Sequence, residues 1–376
     1  MNINTRVLVV LAVFFLPISS FAGAASLSAG EIAALRSLIA TNSEAAIAFE
    51  GIRRAADDAL RDAPNPVEHI VSEGHLQTNP LKVHTEVALK DMDKVLSLGW
   101  AWAVTGDPRY LAKGRDFIVA WARINQPDGD AINETKFEPM IVAYDLFRRN
   151  FSESDRTLAD TWLVNKANTL NSKERGFGGN WPCHRLKIIG LVGFTLNDKT
   201  LIAEAINGYR RQVARDIRPD GACSDFYVRD SLHYQLYSVE PLLALARACE
   251  RYGEPLFDYH APNRGSLHDA VDFVVPFAEG RKTHIEFAHS KSSFDRRRAE
   301  HGESEYSPHP WNPNASVWMF MSAAWFRPEY GTLASQLAGA GNRQFWDWQM
   351  VINCVSEDGK YRQSEEKPKV SVKKLN

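Results

Sequence analysis

The sequence has little excess charge of either sign and, after its first residues, no long apolar run. Its 44 lysine and arginine residues nearly balance 46 acidic residues, which gives a formal net charge of -2. This balance argues against broad nucleic-acid binding, so an anionic ligand would have to meet a local basic cluster. Because no later segment is long and apolar enough to cross a bilayer, we expect no membrane span in the mature chain.

Cysteine is also scarce, with four residues at positions whose spacing matches no zinc-binding pattern: Cys183, Cys223, Cys249 and Cys354. No compact set of Asp, Glu and His appears either, so we expect neither a metal nor another cofactor. A disulfide between Cys183 and Cys223 is permitted in an exported chain. The spacing does not select it over the other pairings or over unpaired buried thiols.

The N-terminus has the pattern of a secretory signal. Arg6 precedes an apolar run at residues 7–16, and Ala-Gly-Ala at 22–24 fits a cleavage site. The run is too short for a comfortable membrane anchor. We therefore expect a signal peptide at residues 1–24 and a periplasmic or secreted protein. The Lys- and Glu-rich residues 357–376 are expected to form a flexible tail, which leaves one domain at 25–356.

Helical periodicity dominates this domain, and strand-like alternation is scarce outside residues 283–287. Tyr110, Phe117, Ile118 and Trp121, for example, form one apolar helical stripe. Helix breakers at 106–108, 150–152, 197–198 and 253–255 are spaced at about the length of a two-helix hairpin. Since the hairpins do not repeat in identity, the pattern predicts an all-α, incomplete (α/α) toroid or barrel instead of a regular solenoid.

Two segments carry most of the chemistry. The first, Gly-Gly-Asn-Trp-Pro-Cys-His-Arg at 178–185, leads from a loop into an apolar helix, and Pro182 suits the first turn of that helix. Asn180 and His184 are its candidate functional residues. The alternative is that Asn180 only caps the helix and that His184 is a polar residue of its first turn.

The second segment, residues 229–237, places Arg229, His233 and Tyr237 at i, i+4 and i+8, on one face of an expected helix. Tyr234 and Tyr237 lie on the adjacent stripe. A face this rich in aromatic and polar groups is unlike an ordinary solvated surface, which favours Lys and Glu. The alternative is a buried hydrogen-bond network between helices.

Together these groups suit the β-elimination of a uronic acid polymer, in which the C5 proton leaves and the 4-O-glycosidic oxygen departs. Asn180 and Arg229 could stabilise the charge that develops on the carboxylate. A tyrosine has a pKa near 10 and acts as a base only beside a cation, which Arg229 could supply to Tyr234 or Tyr237. His184 offers a second proton acceptor, with a pKa near neutrality.

From residues 79 to 325 the chain resembles the alginate-lyase-like polysaccharide lyases of the α/α-toroid type. The resemblance rests on Gly-Asp-Pro-Arg-Tyr at 106–110, Asn-Glu-Thr-Lys-Phe-Glu-Pro at 133–139 and the two segments above. It implies that Asn180, His184, Arg229 and either Tyr237 or Tyr234 are catalytic. Asn and His are adjacent in the better-known members, whereas Trp-Pro-Cys separates them here, so we expect a divergent branch.

Further polar and aromatic residues near these motifs are candidates for substrate contacts: Asn133, Glu134, Lys136, Trp181, Arg185, His233, His289 and Arg297. The group at 133–136 precedes an apolar helix, where its alternative role is a helix cap with surface charges. The basic run at 289–298 could instead be a solvated face, and a Trp in a helical toroid often belongs to the core.

The sequence thus predicts a polysaccharide lyase that cleaves a 4-linked polyuronate, such as alginate, polymannuronate or a glucuronan, and leaves unsaturated uronate ends. A glycoside hydrolase of the same fold would need two opposed carboxyl groups, and no pair stands out among Glu138, Asp225, Asp230 and Glu240. A non-catalytic periplasmic carbohydrate-binding protein is the other alternative. The sequence selects neither the polymer nor the oligomeric state.

Overall fold

The structure of the protein, a computed structural model, describes residues 25–173, 178–341 and 347–355. The expected signal peptide and tail lie outside these ranges. The described residues are mostly helical and contain almost no strand, which confirms the predicted all-α class. None of the helices within them is both long and apolar enough to cross a membrane.

Most of the first eleven helices follow one another with short connections, and longer ones include 60–79, 279–292 and 301–316. In chain order the helices are α1 (Ala29–Thr41), α2 (Ser43–Ala59), α3 (Pro80–Thr105), α4 (Pro108–Ile124), α5 (Ala131–Glu134), α6 (Glu138–Phe147), α7 (Glu153–Ser172), α8 (Asn180–Leu196), α9 (Lys199–Asp216), α10 (Ser224–Arg229), α11 (Leu232–Arg251), α12 (Leu267–Asp272), α13 (Val275–Ala278), α14 (Ser293–Glu300), α15 (Val317–Ala323), α16 (Pro328–Leu337) and α17 (Trp348–Asn353). Strands β1 (Ile285–Glu286) and β2 (His309–Pro310) pair antiparallel, which confirms part of the strand expected at 283–287.

Local sequence explains where these helices begin and end. Gly106 takes the left-handed conformation (φ 72°) that ends α3, and the Asp107 side chain then accepts a hydrogen bond from the Arg109 N–H at 2.9 Å. Asn197, also left-handed, ends α8, and Asp198 caps α9 in the same way. The expected breakers at 106–108 and 197–198 are therefore confirmed as hairpin turns.

The hairpins stand around a shared interior. The inner helices α3, α6, α8 and α11 pack in series, and α4, α7 and α9 pack outside them. Near the chain ends, α17 packs against both α2 and α15, so it connects the first helices to the last ones. This is the arrangement of hairpins that the sequence predicts for an (α/α) toroid.

The short 3-10 turn Thr135–Phe137, between α5 and α6, is fixed firmly to the core. Phe137 is fully buried, and its ring lies edge-on to Trp121 and to Trp162, with 5.4 Å between ring centroids in each pair. The turn also packs against α3 and α8. Its polar residues, Thr135 and Lys136, are thereby held against two inner helices.

Because hairpin partners alternate in direction, the inner helices all begin at the same end of the molecule. Side chains near their N-termini contact each other there: Thr135 hydrogen-bonds His184 at 2.9 Å, and Lys187 pairs with Glu138 at 2.5 Å. The N-termini of four helices meeting at one end favour a negatively charged ligand. The candidate residues of both sequence segments lie at this end.

Candidate active site

The first segment leads into α8 through a glycine whose backbone conformation other residues rarely adopt. Gly179 is the N-cap, with φ 96°, and a Cβ there would lie 3.0 Å from the Asp225 carboxylate oxygens. The next backbone N–H, that of Asn180, donates to Asp225 at 2.8 Å, and the Asn180 side-chain amide donates to the same oxygen. Asn180 is therefore not the helix cap, and its side chain points to α10.

One turn later, His184 is held in a fixed orientation. Its Nδ1 and the Thr135 hydroxyl are 2.9 Å apart. Its Nε2 is buried and has no hydrogen-bond partner among the described residues. The Tyr237 backbone carbonyl lies near the imidazole, and Pro241, inside α11, has no N–H to bond that carbonyl in the usual helical way.

The environment of His184 keeps the imidazole neutral. Burial lowers its pKa well below the ordinary value, and the charges of Lys187 and Lys136 lower the pKa further. The nearby Tyr237 carbonyl opposes this shift only weakly, because it is the smallest influence. A neutral imidazole near pH 7 is a possible proton acceptor.

The second segment is two helices, not the single helix that the i, i+4, i+8 spacing predicts. Helix α10 ends at Arg229, Asp230 adopts a left-handed conformation (φ 49°), and α11 begins at Leu232. The Asp230 carbonyl accepts the Phe287 N–H at 2.7 Å, and its carboxylate accepts the His289 N–H at 2.7 Å. The distant loop after β1 therefore holds the break in place.

Glu286, in β1, is a residue that sequence reasoning missed. Its buried carboxylate accepts the N–H groups of Leu232 and His233, at 2.7 and 2.9 Å, and so caps α11 in place of a local side chain. It is 54 residues away from Leu232, so no local capping pattern could have revealed it.

The break turns Arg229 back onto Tyr234. The guanidinium carbon lies 3.8 Å from the Tyr234 ring centroid, and the guanidinium donates to the Tyr234 hydroxyl. Its Nε also donates to the buried Asp295 carboxylate at 2.7 Å. Asp295, again missed from sequence, therefore fixes Arg229 in a bidentate ion pair.

Tyr237 lies between two imidazoles. Its ring centroid is 4.2 Å from that of His184 and 6.0 Å from that of His233. The side chain is half-buried, and its hydroxyl has no hydrogen bond to any described residue. Of the two candidate tyrosines, this one keeps its hydroxyl uncommitted.

Arg229 favours the phenolate of Tyr234 as expected, but burial has the larger effect on the pKa of this phenol. Burial raises the pKa of Tyr234 even though Arg229 opposes the shift. Burial also raises the pKa of Tyr237, with the Glu73 carboxylate adding to the effect and no cation opposing it. Both phenols therefore stay protonated, and each is a proton donor in its resting state.

Two of the expected substrate contacts are buried in the protein instead. Glu134 pairs with Lys166, which has no exposed surface and lies 3.6 Å from the Phe137 ring centroid. Asn133 is also buried, and its amide joins the Glu73 N–H to the Asp128 carboxylate, at 3.2 and 3.0 Å. Because these side chains already bond protein partners, the structure gives no support for their contact with a substrate, which stays a prediction.

We expect Glu134→Gln to destabilise the protein by about 3 kcal/mol, since the change leaves the Lys166 charge buried and unpaired. The free energy of unfolding in urea measures this. The double variant Glu134→Gln/Lys166→Met is expected to regain much of the loss. A rise in substrate KM for Glu134→Gln without a loss of stability would instead place Glu134 in the cleft.

Three other candidates lie close to the site. Lys136 is half-buried, and burial together with the charges of Lys187 and Lys82 lowers its pKa. Trp181 and the buried Arg185 line a cavity of about 200 Å³ beside Asp130, and the Arg185 guanidinium donates to Asn171 at 2.9 Å. The cavity is a place where a sugar ring could stack on Trp181.

The remaining candidates lie at the rim. His233 is exposed, although the surrounding protein and the Arg229 charge lower its pKa. His289 is exposed and bonds Asp230, and Arg297 is exposed beside Phe294. In the basic run at 289–298, Arg298 is buried whereas Arg297 is exposed. The charge of Arg298 lowers the pKa of His233.

The cysteines contribute neither a disulfide nor a reactive thiol to the candidate site. All four cysteines are free thiols, so the structure contains no Cys183–Cys223 bridge. Burial raises the pKa of both Cys183 and Cys223 well above the ordinary value, which makes them unreactive. Within the described ranges, no group of three His, Cys, Asp or Glu side chains could hold a metal ion.

Comparisons with known proteins agree with this architecture. The family model described as alginate lyase matches residues 43–284, well over half of the chain. An alginate lyase of Stenotrophomonas maltophilia (strain K279a) is 25% identical over 218 residues, which are 51% of this chain and 29% of that protein. The match therefore spans less than a third of this relative's length.

Two solved structures share the fold. An alginate lyase from Bacteroides ovatus superposes with a TM-score of 0.67 at 15% identity, over 87% of this chain and 97% of that one. Alginate lyase A1-III from Sphingomonas species A1 superposes with a TM-score of 0.58 at 20% identity, over 79% and 87%. The predicted α/α toroid is thus confirmed. With a family model covering most of the helical hairpins and both site segments, the chain belongs to the alginate lyase family.

Proposed function

We propose that the protein is a polysaccharide lyase that cleaves a 4-linked polyuronate, such as alginate, polymannuronate or a glucuronan, by β-elimination. The observation that carries the proposal is the contact of Tyr237 with His184, at 4.2 Å between ring centroids, where the inner helices begin. This contact places the Tyr237 phenol, whose hydroxyl has no hydrogen bond to a described residue, beside the neutral His184 imidazole. The names of the relatives agree with an anionic polysaccharide, and an A1-III variant has been solved in complex with a tetrasaccharide.

The protonation states assign the roles. Tyr237 remains a phenol, so it donates its proton to the glycosidic oxygen as the C4–O bond breaks. His184 is neutral, and with its ring proton on Nδ1, donated to the Thr135 hydroxyl, Nε2 has the lone pair that takes the C5 proton. The electron pair of the C–H bond then forms the C4–C5 double bond. Transfer of that proton from His184 to the Tyr237 phenolate restores both groups. Since Nε2 is buried in the free protein, this role requires that side chains around it move when the sugar binds.

Asn180 and Arg229 would neutralise the carboxylate of the reacting sugar. Both stand beside Asp225, which bonds the Asn180 amide and whose charge acts on Arg229. One amide N–H of Asn180 is not used by Asp225 and can donate to the substrate. The extra negative charge of the transition state would meet these donors in a partly desolvated site, where each is worth more than in water.

The hydrolase alternative is not favoured. Of its possible carboxylates, Glu138 pairs with Lys187, Asp225 bonds Asn180, and Asp230 bonds His289. Burial raises the pKa of the fourth, Glu240, to about 7. A glycoside hydrolase requires two carboxyl groups that act on opposite sides of the scissile bond, whereas three of these four are already bonded to protein partners. A purely binding role would leave the neutral His184 and the uncommitted Tyr237 hydroxyl without a function.

We propose that the mature protein is periplasmic or secreted, because residues 1–24 have the pattern of a signal peptide. Cell fractionation of the full chain tests this. The expected result is a processed protein outside the cytoplasm whose first residue is Ala25. An unprocessed protein in the cytoplasm would overturn the proposal.

A panel of polymannuronate, polyguluronate, polyglucuronate and mixed polymers tests the activity. We expect at least one polymer to give products with the ultraviolet absorbance of a conjugated double bond. New reducing ends without this chromophore would show hydrolysis instead. Tight binding without any new ends would show a binding protein.

The acid limb of the kcat/KM profile is expected below pH 6.5, the ordinary histidine value, because the active form of His184 is neutral and its pKa is lowered. Protonation as pH falls then removes the base. Lys187→Met should move this limb upward, since it removes a charge that lowers the pKa. The exposed Lys90→Met is the control, and equal profiles for the two variants would contradict the assignment.

A further inference from the structure

The cations closest to the reacting groups are mostly committed to protein carboxylates. Arg229 is paired with Asp295, Lys187 with Glu138, and Arg298 with Glu303. None of these guanidinium or ammonium groups is wholly available for the carboxylates of a polyuronate. A substrate with one negative charge per sugar needs additional positive groups nearby.

Lys82 and Lys136 differ from these cations, because no carboxylate in the described part of the chain forms an ion pair with either. Lys82, in the first turn of α3, is buried, and its ammonium donates only to the His75 carbonyl, at 3.4 Å. Lys136 has no hydrogen bond to a described residue. Both are therefore positive groups without an ion pair among the described residues, although the Glu86 and Glu73 carboxylates act on Lys136 from beyond ion-pair distance.

Three elements bring these lysines together. The turn Thr135–Phe137 carries Lys136 and packs between α3, which carries Lys82, and α8, which carries Lys187. Lys82 and Lys187 lie close enough to Lys136 for their charges to act on it. Because Glu138 already pairs with Lys187, Lys82 and Lys136 are the two without an ion pair to a described residue, and their closeness in a half-buried place favours the binding of an anion.

The same group adjoins the proposed catalytic pair. Thr135, directly before Lys136, bonds His184, and the charges of Lys136 and Lys187 both act on that imidazole. Asn180, on the other hand, lies one turn before His184 and contacts α10. Lys136 thus adjoins His184 through Thr135, whereas Asn180 adjoins α10, so the two groups can meet the carboxylates of different sugars along one bound polymer.

We propose that Lys136, supported by Lys82 and Lys187, binds the carboxylate of a second uronate, next to the one that loses its proton. This rests on the proposed lyase function and adds a requirement to it: two consecutive uronate residues. A polymer in which uronates alternate with uncharged sugars would leave the cluster unneutralised. Such a polymer is expected to be a poor substrate even where its linkage is correct.

Binding of short saturated uronates tests the cluster without catalysis. In calorimetric titrations, Lys136→Met is expected to weaken a diuronate by about tenfold, the loss of one charged contact, and to leave a monouronate nearly unchanged. Lys136→Arg should keep most of the diuronate affinity, and the exposed Lys90→Met should behave as the native protein. An unchanged diuronate affinity for Lys136→Met, or an equal loss for both ligands, would overturn the proposal.

Kinetics separate this failure from failure of the function itself. For Lys136→Met we expect a higher KM on polyuronate and a kcat close to native, with less discrimination against a 4-linked copolymer of uronate and N-acetylhexosamine. If the native protein cleaves polyuronate and Lys136→Met cleaves it with an unchanged KM, only the proposal for the lysine cluster is refuted. Native protein that neither cleaves nor binds any uronate would refute both proposals.

Discussion

Tyr237→Phe is expected to lower kcat on the best polyuronate by about 10² to 10⁴-fold, the usual contribution of a positioned acid or base. The change removes only the hydroxyl oxygen, and that hydroxyl makes no hydrogen bond to a described residue. Stability should therefore be nearly unchanged. Ultraviolet absorbance measures the rate, and thermal unfolding checks the fold.

Two other tyrosines give matched controls. Tyr234→Phe removes a hydroxyl that accepts from Arg229, so we expect a loss of about tenfold through a displaced guanidinium. Tyr227→Phe, which removes a bond to Asp220 on the surface, should have no effect on rate. A larger loss for Tyr234→Phe than for Tyr237→Phe would transfer the proton-donor role to Tyr234.

Arg229→Met is expected to have the second-largest effect, for two separate reasons. It removes a positive group from the reacting carboxylate, which lowers kcat by about 10² to 10³-fold. It also leaves the buried Asp295 carboxylate without its ion pair, which destabilises the fold by about 3 kcal/mol. Rates and urea unfolding would be measured on the same preparations.

The double variant Arg229→Met/Asp295→Asn separates the two effects. With no buried charge left unpaired, much of the lost stability should return, whereas the rate should remain low. If activity returned together with stability, Arg229 would be only a structural partner of Asp295. In that case Asn180 would be the remaining donor to the reacting carboxylate.

Features set by neighbouring residues could be predicted from the sequence. The ends of α3 and α8 depend on Gly106 and Asn197, whose left-handed conformations are local preferences. The apolar stripe of α4 follows from periodicity alone, and its members Tyr110 and Trp121 are buried. The pairing of the two site segments was also predicted, and the contact of His184 with Tyr237 brings them together.

Features set by distant residues could not be predicted. The break at Asp230 is held by Phe287 and His289, from a loop nearly sixty residues later in the chain. Helical spacing alone favours a continuous helix there, and it gives no sign of such a loop. The Glu134–Lys166 pair is a similar case, because a charged residue before a helix is usually a cap or a surface group.

The mass of the products is the most direct test of the central claim, that Tyr237 and His184 form one site for β-elimination. Native protein acting on polyuronate should release new non-reducing ends that are lighter by one water molecule than saturated ends, and Tyr237→Phe should release almost none. Saturated ends from the native protein, or undiminished release by Tyr237→Phe and His184→Gln together, would contradict it.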